Sequence, residues 1–162
     1  MPHHLTELVQ RLGNTLKKRE WKLVTAESCT GGGLAYHITN APGSSAWFER
    51  GFVTYSNASK EELLNVRPES LAVFGAVSEQ VAKEMAEGAL QHSQAQVAIA
   101  ITGIAGPDGG SVEKPVGTVW LSWAGMNMHT QTAMNIFLGD RANIREQAIQ
   151  TALQKLLEFV HQ

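Results

Sequence analysis

The chain has 162 residues, 43% hydrophobic and 17% charged, with a formal net charge of −2. That length suits one domain with a proper core, residues 1–162, and the charge leaves no electrostatic footprint for nucleic acid. No apolar run is long enough to span a bilayer, no signal-peptide pattern opens the chain, and the single cysteine, Cys29, excludes an internal disulfide framework.

These features together point to the cytoplasm and to no membrane partner. The six histidines are scattered without metal-ligand spacing, so no structural metal is expected.

Leu5, Leu8, Val9, Leu12 and Leu16 recur at helical spacing and predict a first helix from about residue 5 to 19. A short strand follows over residues 22–25. It runs into Ala26, Glu27, Ser28, Cys29, Thr30, Gly31, Gly32 and Gly33, and then into a helix at 34–39 that stops at the Asn40 to Gly43 breaker. A short turn at 44–46 precedes an aromatic and β-branched strand over 47–55. Ser56 or Asn57 can cap a helix at about 59–64, which puts Lys60 in its first turn. Pro68 opens a short helix to about Phe74. Ser78 with Glu79 caps a longer one to about His92.

Residues 96–102 form a continuous apolar run, as in a strand covered on both faces. A glycine-rich loop at 103–110 leads to two strands, about 116–123 and 128–138, close enough in sequence to pair antiparallel. Asp140 can cap a last helix whose apolar stripe runs from Ile144 to Val160. The interleaving predicts a single three-layer α/β domain. Its sheet is mixed and mostly parallel, with an antiparallel C-terminal hairpin and helices on both faces.

In open α/β sheets, ligands bind beyond the carboxyl ends of strands. Three stretches fall there: Glu27 to Gly33, Tyr55 to Lys60, and Thr102 to Gly110. A hydroxyl and a thiol beside glycines at a strand-to-helix turn resemble a nucleophile elbow. Small residues at such a turn also serve tight packing alone. The unpaired amides at the helix start would attract an anion or a developing oxyanion. Either Ser28 or Cys29 can be the nucleophile, and neighbours at a strand end point oppositely, so one of the two is expected to face the ligand.

Lys60 becomes a base for Ser28 if a helix dipole and burial hold it neutral; otherwise it lies on a solvated face with Glu61 and Glu62. Thr102, Gly103 and Gly106 can bring backbone donors to an amide or anionic group. Arg141 can hold a phosphate or pair with Asp140 or Glu146 at the surface. Tyr55 would suit a flat cationic ring. Trp47 and Phe48 fit a core or an interface better than a binding platform.

Six motifs occur in order: AESCTGG at 26–32, GSSAWFERGFVTYSN at 43–57, GAVS at 75–78, TGIAGPDGG at 102–110, KPVGTV at 114–119 and GDR at 139–141. Together they resemble the CinA C-terminal domain family over about residues 5 to 158, and within it the stand-alone nicotinamide-nucleotide amidases. Gly33, which extends the glycine pair to three, is a minor departure. The resemblance implies hydrolysis of nicotinamide mononucleotide to nicotinate mononucleotide and ammonia, without metal or organic cofactor, by a homodimer or higher homo-oligomer.

The same resemblance makes Ser28 the nucleophile and Lys60 its base, with Tyr55 grouped beside them as catalytic. Glu27, Cys29, Thr30, Gly31, Gly32, Thr102, Gly103, Gly106 and Arg141 are then the substrate-binding set. Donors to the oxyanion are expected from Thr30, Gly31 and the loop at 102–106. Larger members carry an N-terminal domain with pyrophosphatase chemistry, an activity this chain is expected to lack. The alternative is a catalytically silent nucleotide-binding or regulatory module of the competence or damage-inducible type.

Overall fold

The computed structural model describes residues 2–162. Its elements are α1 (Pro2–Arg19), β1 (Leu23–Glu27), α2 (Gly33–Thr39), a 3₁₀ turn (Ser44–Ala46), β2 (Phe48–Val53), α3 (Asn57–Leu64), α4 (Pro68–Phe74), α5 (Glu79–Gln91), β3 (Val97–Gly103), β4 (Thr118–Gly125), β5 (Gln131–Ile136) and α6 (Arg141–Phe159). The expected elements are all present. The first helix begins earlier than its leucine stripe, because Pro2 is tolerated in a first turn where no amide partner is needed. Ser56, Ser78 and Asp140 cap α3, α5 and α6, each accepting from a backbone amide three residues on.

The strands form one sheet in the order β2-β1-β3-β4-β5. β1 pairs parallel with both β2 and β3, whereas β4 pairs antiparallel with β3 and β5. Four strands therefore point one way and β4 alone points the other. Glu27 registers with Val53 on one side and Ile101 on the other. Ser28, Thr54 and Thr102 are the next residues along, so the parallel pairing brings three separate loops to one end of the sheet.

Two cores cover the two faces. Strand β3 alternates Val97, Ile99 and Ile101 with Ala98 and Ala100. The large residues pack with α1, α2 and α6, and the alanines pack with α3, α4 and α5. Trp47 is buried in the first core beside Gly13, as core rather than platform. Gly33 meets α6 so closely that a β-carbon there would lie 2.9 Å from Ile149 Cδ1. Among the described residues no helix is long and apolar enough to cross a membrane.

Alanines on the sheet let α5 settle deeply, and its Gly88 abuts the last carbonyl of α3. A β-carbon at 88 would overlap Leu64 O and approach its carbonyl carbon to 2.8 Å. Gly88→Ala is therefore expected to destabilise the protein by about 1–3 kcal/mol, the usual cost of overpacking, despite alanine's better helix propensity. Urea denaturation of the variant beside the parent measures this.

Candidate active site

The end of β1 is fixed before the turn begins. Ser28 N donates to Ile101 O at 3.0 Å, carrying the ladder one residue beyond the strand. Gly31 N then returns to Ser28 O at 3.0 Å, and Gly31 and Gly32 take φ of 57° and 98°, a region that β-carbons disfavour. This tight turn delivers Ser28 to the sheet end with its side chain almost wholly buried.

Lys60 reaches the same point from α3. It is 1% exposed, and its Nζ lies 3.0 Å from Ser28 Oγ, 2.7 Å from Thr54 O and 3.4 Å from Tyr55 O. Burial pushes its pKa down from 10.5 to about 8, against a small opposing pull from Cys29. Desolvation, the first cause of the shift, brings this amine closer to its neutral form near physiological pH. A neutral amine has two N–H groups and one lone pair. Thr54 O and Tyr55 O can accept the two N–H groups, which leaves the lone pair for the Ser28 hydroxyl.

Both Ser28 and Cys29 line the cavity, contrary to the expectation that one of them would turn away. The reason is that the strand ends at Glu27, so strand alternation no longer governs these two residues. The Cys29 thiol is buried and pushed up to about 11; burial outweighs the opposing effects of its own amide, Arg145 and Lys60.

Glu27 and the glycine amides differ from expectation in a related way. The Glu27 carboxylate is 1% exposed beneath the turn and caps α2 from within. Its Oε1 accepts from Thr30 Oγ1 at 2.6 Å, Gly32 N at 3.2 Å and Leu34 N at 2.9 Å, while Oε2 accepts from Ala35 N at 3.0 Å. The start of α2 is thus satisfied internally, and Gly31 N is spent on the turn. Among the described residues, the amides of Cys29 and Thr30 have no carbonyl or carboxylate acceptor.

A cavity of about 270 Å³ opens over Ser28, Cys29 and Lys60, walled by Ala76, Val77 and the loop from Thr102 to Gly109. Thr102 Oγ1 donates to Ala76 O at 2.9 Å, which holds the two walls together. Gly103 serves packing, since a β-carbon there would press on Val119 and Thr118 O. At the mouth, Arg141 donates to Gly106 O at 2.7 Å and to Tyr55 Oη at 3.1 Å. Asp140 is engaged as a cap and Glu146 lies 3.3 Å from His37, so neither is the surface partner of Arg141. Among the described residues no three metal-ligating side chains come together.

A model of the CinA C-terminal domain matches residues 5–160. The chain belongs to the CinA C-terminal domain family. Its relatives in that family include the nicotinamide-nucleotide amidohydrolase PncC of Enterobacter agglomerans, 55% identical over 157 residues and 96% of each chain. The Pseudomonas putida protein of the same name is 49% identical over 155 residues, again 96% of each. A solved CinA-family neighbour, the competence/damage inducible protein CihA of Agrobacterium tumefaciens, superposes with a TM-score of 0.94. It is 45% identical, and the match covers 98% of this chain and 96% of that one.

Sequence reasoning missed two side chains. Asp108 lines the cavity from within the glycine-rich loop. Arg145, one turn beyond Arg141, donates to Cys29 O and Thr30 O, both at 3.1 Å. The spacing of 141 and 145 on one helix face was visible in the sequence; the carbonyls they meet were not.

The lowered pKa of Lys60 carries a stability signature. Between about pH 8 and 10.5 the unfolded chain holds the proton that the folded chain has lost, so stability due to this residue rises with pH. From pH 7 to 10 the parent is expected to gain about 2 kcal/mol relative to Lys60→Met. Urea denaturation of both proteins at each pH checks the sign.

Proposed function

We propose that the protein hydrolyses the carboxamide of nicotinamide mononucleotide, giving nicotinate mononucleotide and ammonia, with Ser28 as nucleophile and Lys60 as base. The observation that carries this reading is the 3.0 Å contact between a buried, neutralisable lysine and a serine hydroxyl at the floor of a cavity. The near-full-length likeness to PncC amidohydrolases supports the choice of substrate.

Neutral Lys60 takes the Ser28 proton as Oγ attacks the amide carbon. The oxyanion of the tetrahedral intermediate is met by the free amides of Cys29 and Thr30, the first two after the nucleophile. Protonated Lys60 gives its proton to the departing nitrogen, and ammonia leaves the acyl-enzyme. Lys60 next deprotonates a water, which attacks the acyl carbon. The same proton returns to Ser28 Oγ as the C–O bond breaks, and the carboxylic acid so formed gives its remaining proton to solvent and leaves as the carboxylate.

Arg141 at the mouth offers its remaining N–H groups to the phosphate, and the Tyr55 ring beside it suits a cationic pyridinium. Thr102, Gly103 and Gly106 shape the wall against which the ring lies. The thiol of Cys29, held protonated by burial, is not the nucleophile in this reading. The cytoplasm is the proposed location of the activity. A homodimer is proposed as the working form, since edge strand β5 carries no charged guard residue and exposes Met134 and Ile136.

Ammonia release from nicotinamide mononucleotide is expected from the parent and from Cys29→Ala. Folded Ser28→Ala and Lys60→Ala are expected to lose it by a factor of about 10³ or more. The rate should rise with pH through a midpoint near about 8, because only the neutral amine can act. Nucleotide binding without ammonia release would instead make the protein a silent binding module. Sedimentation equilibrium is expected to give twice the chain mass, with Ile136→Lys shifting the species toward monomer.

A further inference from the structure

Arg145 lies outside the cavity lining, yet its guanidinium grips the turn that carries the nucleophile. The Cys29 and Thr30 carbonyls it holds have no part in the chemistry just described. Their orientation, however, dictates that of the amides. In a trans peptide the C=O and the following N–H point in opposite directions. Fixing Cys29 O toward α6 therefore aims Thr30 N–H away from α6. One peptide earlier, Ser28 O is held by Gly31 N, which fixes the direction of Cys29 N–H in the same manner.

The two amides left without a carbonyl or carboxylate acceptor are thus the two whose peptide planes are clamped from behind, that of Cys29 by Gly31 N and that of Thr30 by Arg145. The fit is close: a β-carbon on Gly31 would lie 3.5 Å from Arg145 Nη2, and φ there is 57°. Without the guanidinium, Cys29 O would lose its donor, whereas Thr30 O would keep Gly33 N at 2.9 Å, and the Cys29–Thr30 peptide could rotate. Its amide would then turn away from the oxyanion.

We propose that Arg145 is a positioning residue for catalysis: by holding the Cys29 carbonyl, with Thr30 O as its second anchor on the turn, it presents the Thr30 amide beside Ser28 to the developing oxyanion. This rests on the Ser28 amidase reading. Because the amides matter most when negative charge develops on the substrate oxygen, removing Arg145 weakens the transition state more than the bound substrate.

The test is steady-state kinetics on nicotinamide mononucleotide with Arg145→Gln, Arg145→Ala and Arg145→Lys beside Ser28→Ala, each checked for folding by thermal unfolding. Arg145→Gln is expected to lose about tenfold to a hundredfold in kcat, less than deletion of an oxyanion donor itself. KM should stay within about twofold. The pH midpoint near about 8 should not move, since Lys60 is untouched. Millimolar guanidinium should restore part of the activity of Arg145→Ala. If Arg145→Gln does not fold, Arg145→Lys, a cation that cannot fork to both carbonyls, makes the same comparison. A folded variant with parental kcat, a loss expressed in KM, or a loss that guanidinium does not relieve overturns the positioning role. Retained activity in Ser28→Ala overturns the serine reading itself, which separates the two failures.

Discussion

A lysine removed from water is the constraint on which the site depends. Keeping Lys60 buried at neutral pH costs about 3 kcal/mol, judged from the fall of its pKa from 10.5 to about 8. That is a sizeable fraction of the net stability of an ordinary domain. The two-sided core offsets it. Strands β1 and β3 are almost wholly buried, with Leu23, Val97, Ile99 and Ile101 against α1 and α6 and Val24, Ala26, Ala98 and Ala100 against α5. The carbonyls of Thr54 and Tyr55 limit the cost further, because they satisfy the amine in either charge state while leaving one direction free for Ser28. The same burial that makes the lysine costly lowers its pKa toward neutrality.

Burial acts on the neighbouring groups in opposite senses, and this divides the labour among them. It lowers the lysine and raises the Cys29 thiol, so at neutral pH the amine comes near its titration range while the thiol stays protonated. It also draws Glu27 inside as a cap. A helix start is an anion site by default, but here a carboxylate already occupies it. In the proposed reaction the phosphate is therefore assigned to the Arg141 mouth, and the oxyanion to the turn before α2 instead of to α2 itself.

Most of the architecture was legible in the sequence because periodicity and punctuation agreed. The leucine stripe of α1, the apolar run of β3, and Ser56, Ser78 and Asp140 as caps all appear where the pattern placed them. The meeting of Ser28 with Lys60 follows from parallel pairing of β1 with β2, a topology that the interleaved helices implied. Glu27 was harder to read. An acidic residue just before a glycine turn has the look of a ligand group, and only the fold shows its oxygens facing the amides of residues 32, 34 and 35. Arg145 was harder still, because its carbonyl partners lie 115 and 116 residues upstream. No local pattern encodes a contact of that span.

The site draws one element from each layer, and this explains why it sits at the end of the sheet. Ser28 comes from the end of β1 in the sheet, Lys60 from α3 on one face, and Arg141 and Arg145 from α6 on the other. Helices on opposite faces are separated by the sheet along its whole length and can reach a common point only beyond its edge. Close packing then sets the precision. Gly33 admits α6 to the turn, and Gly88 admits α5 to the end of α3, each with no space for a methyl group. A displacement of either helix by the width of a methyl group would change the Ser28–Lys60 distance or the angle of the clamped peptide. Interiors packed this densely transmit such shifts instead of absorbing them, so glycines outside the cavity lining hold the geometry of the Ser28–Lys60 pair.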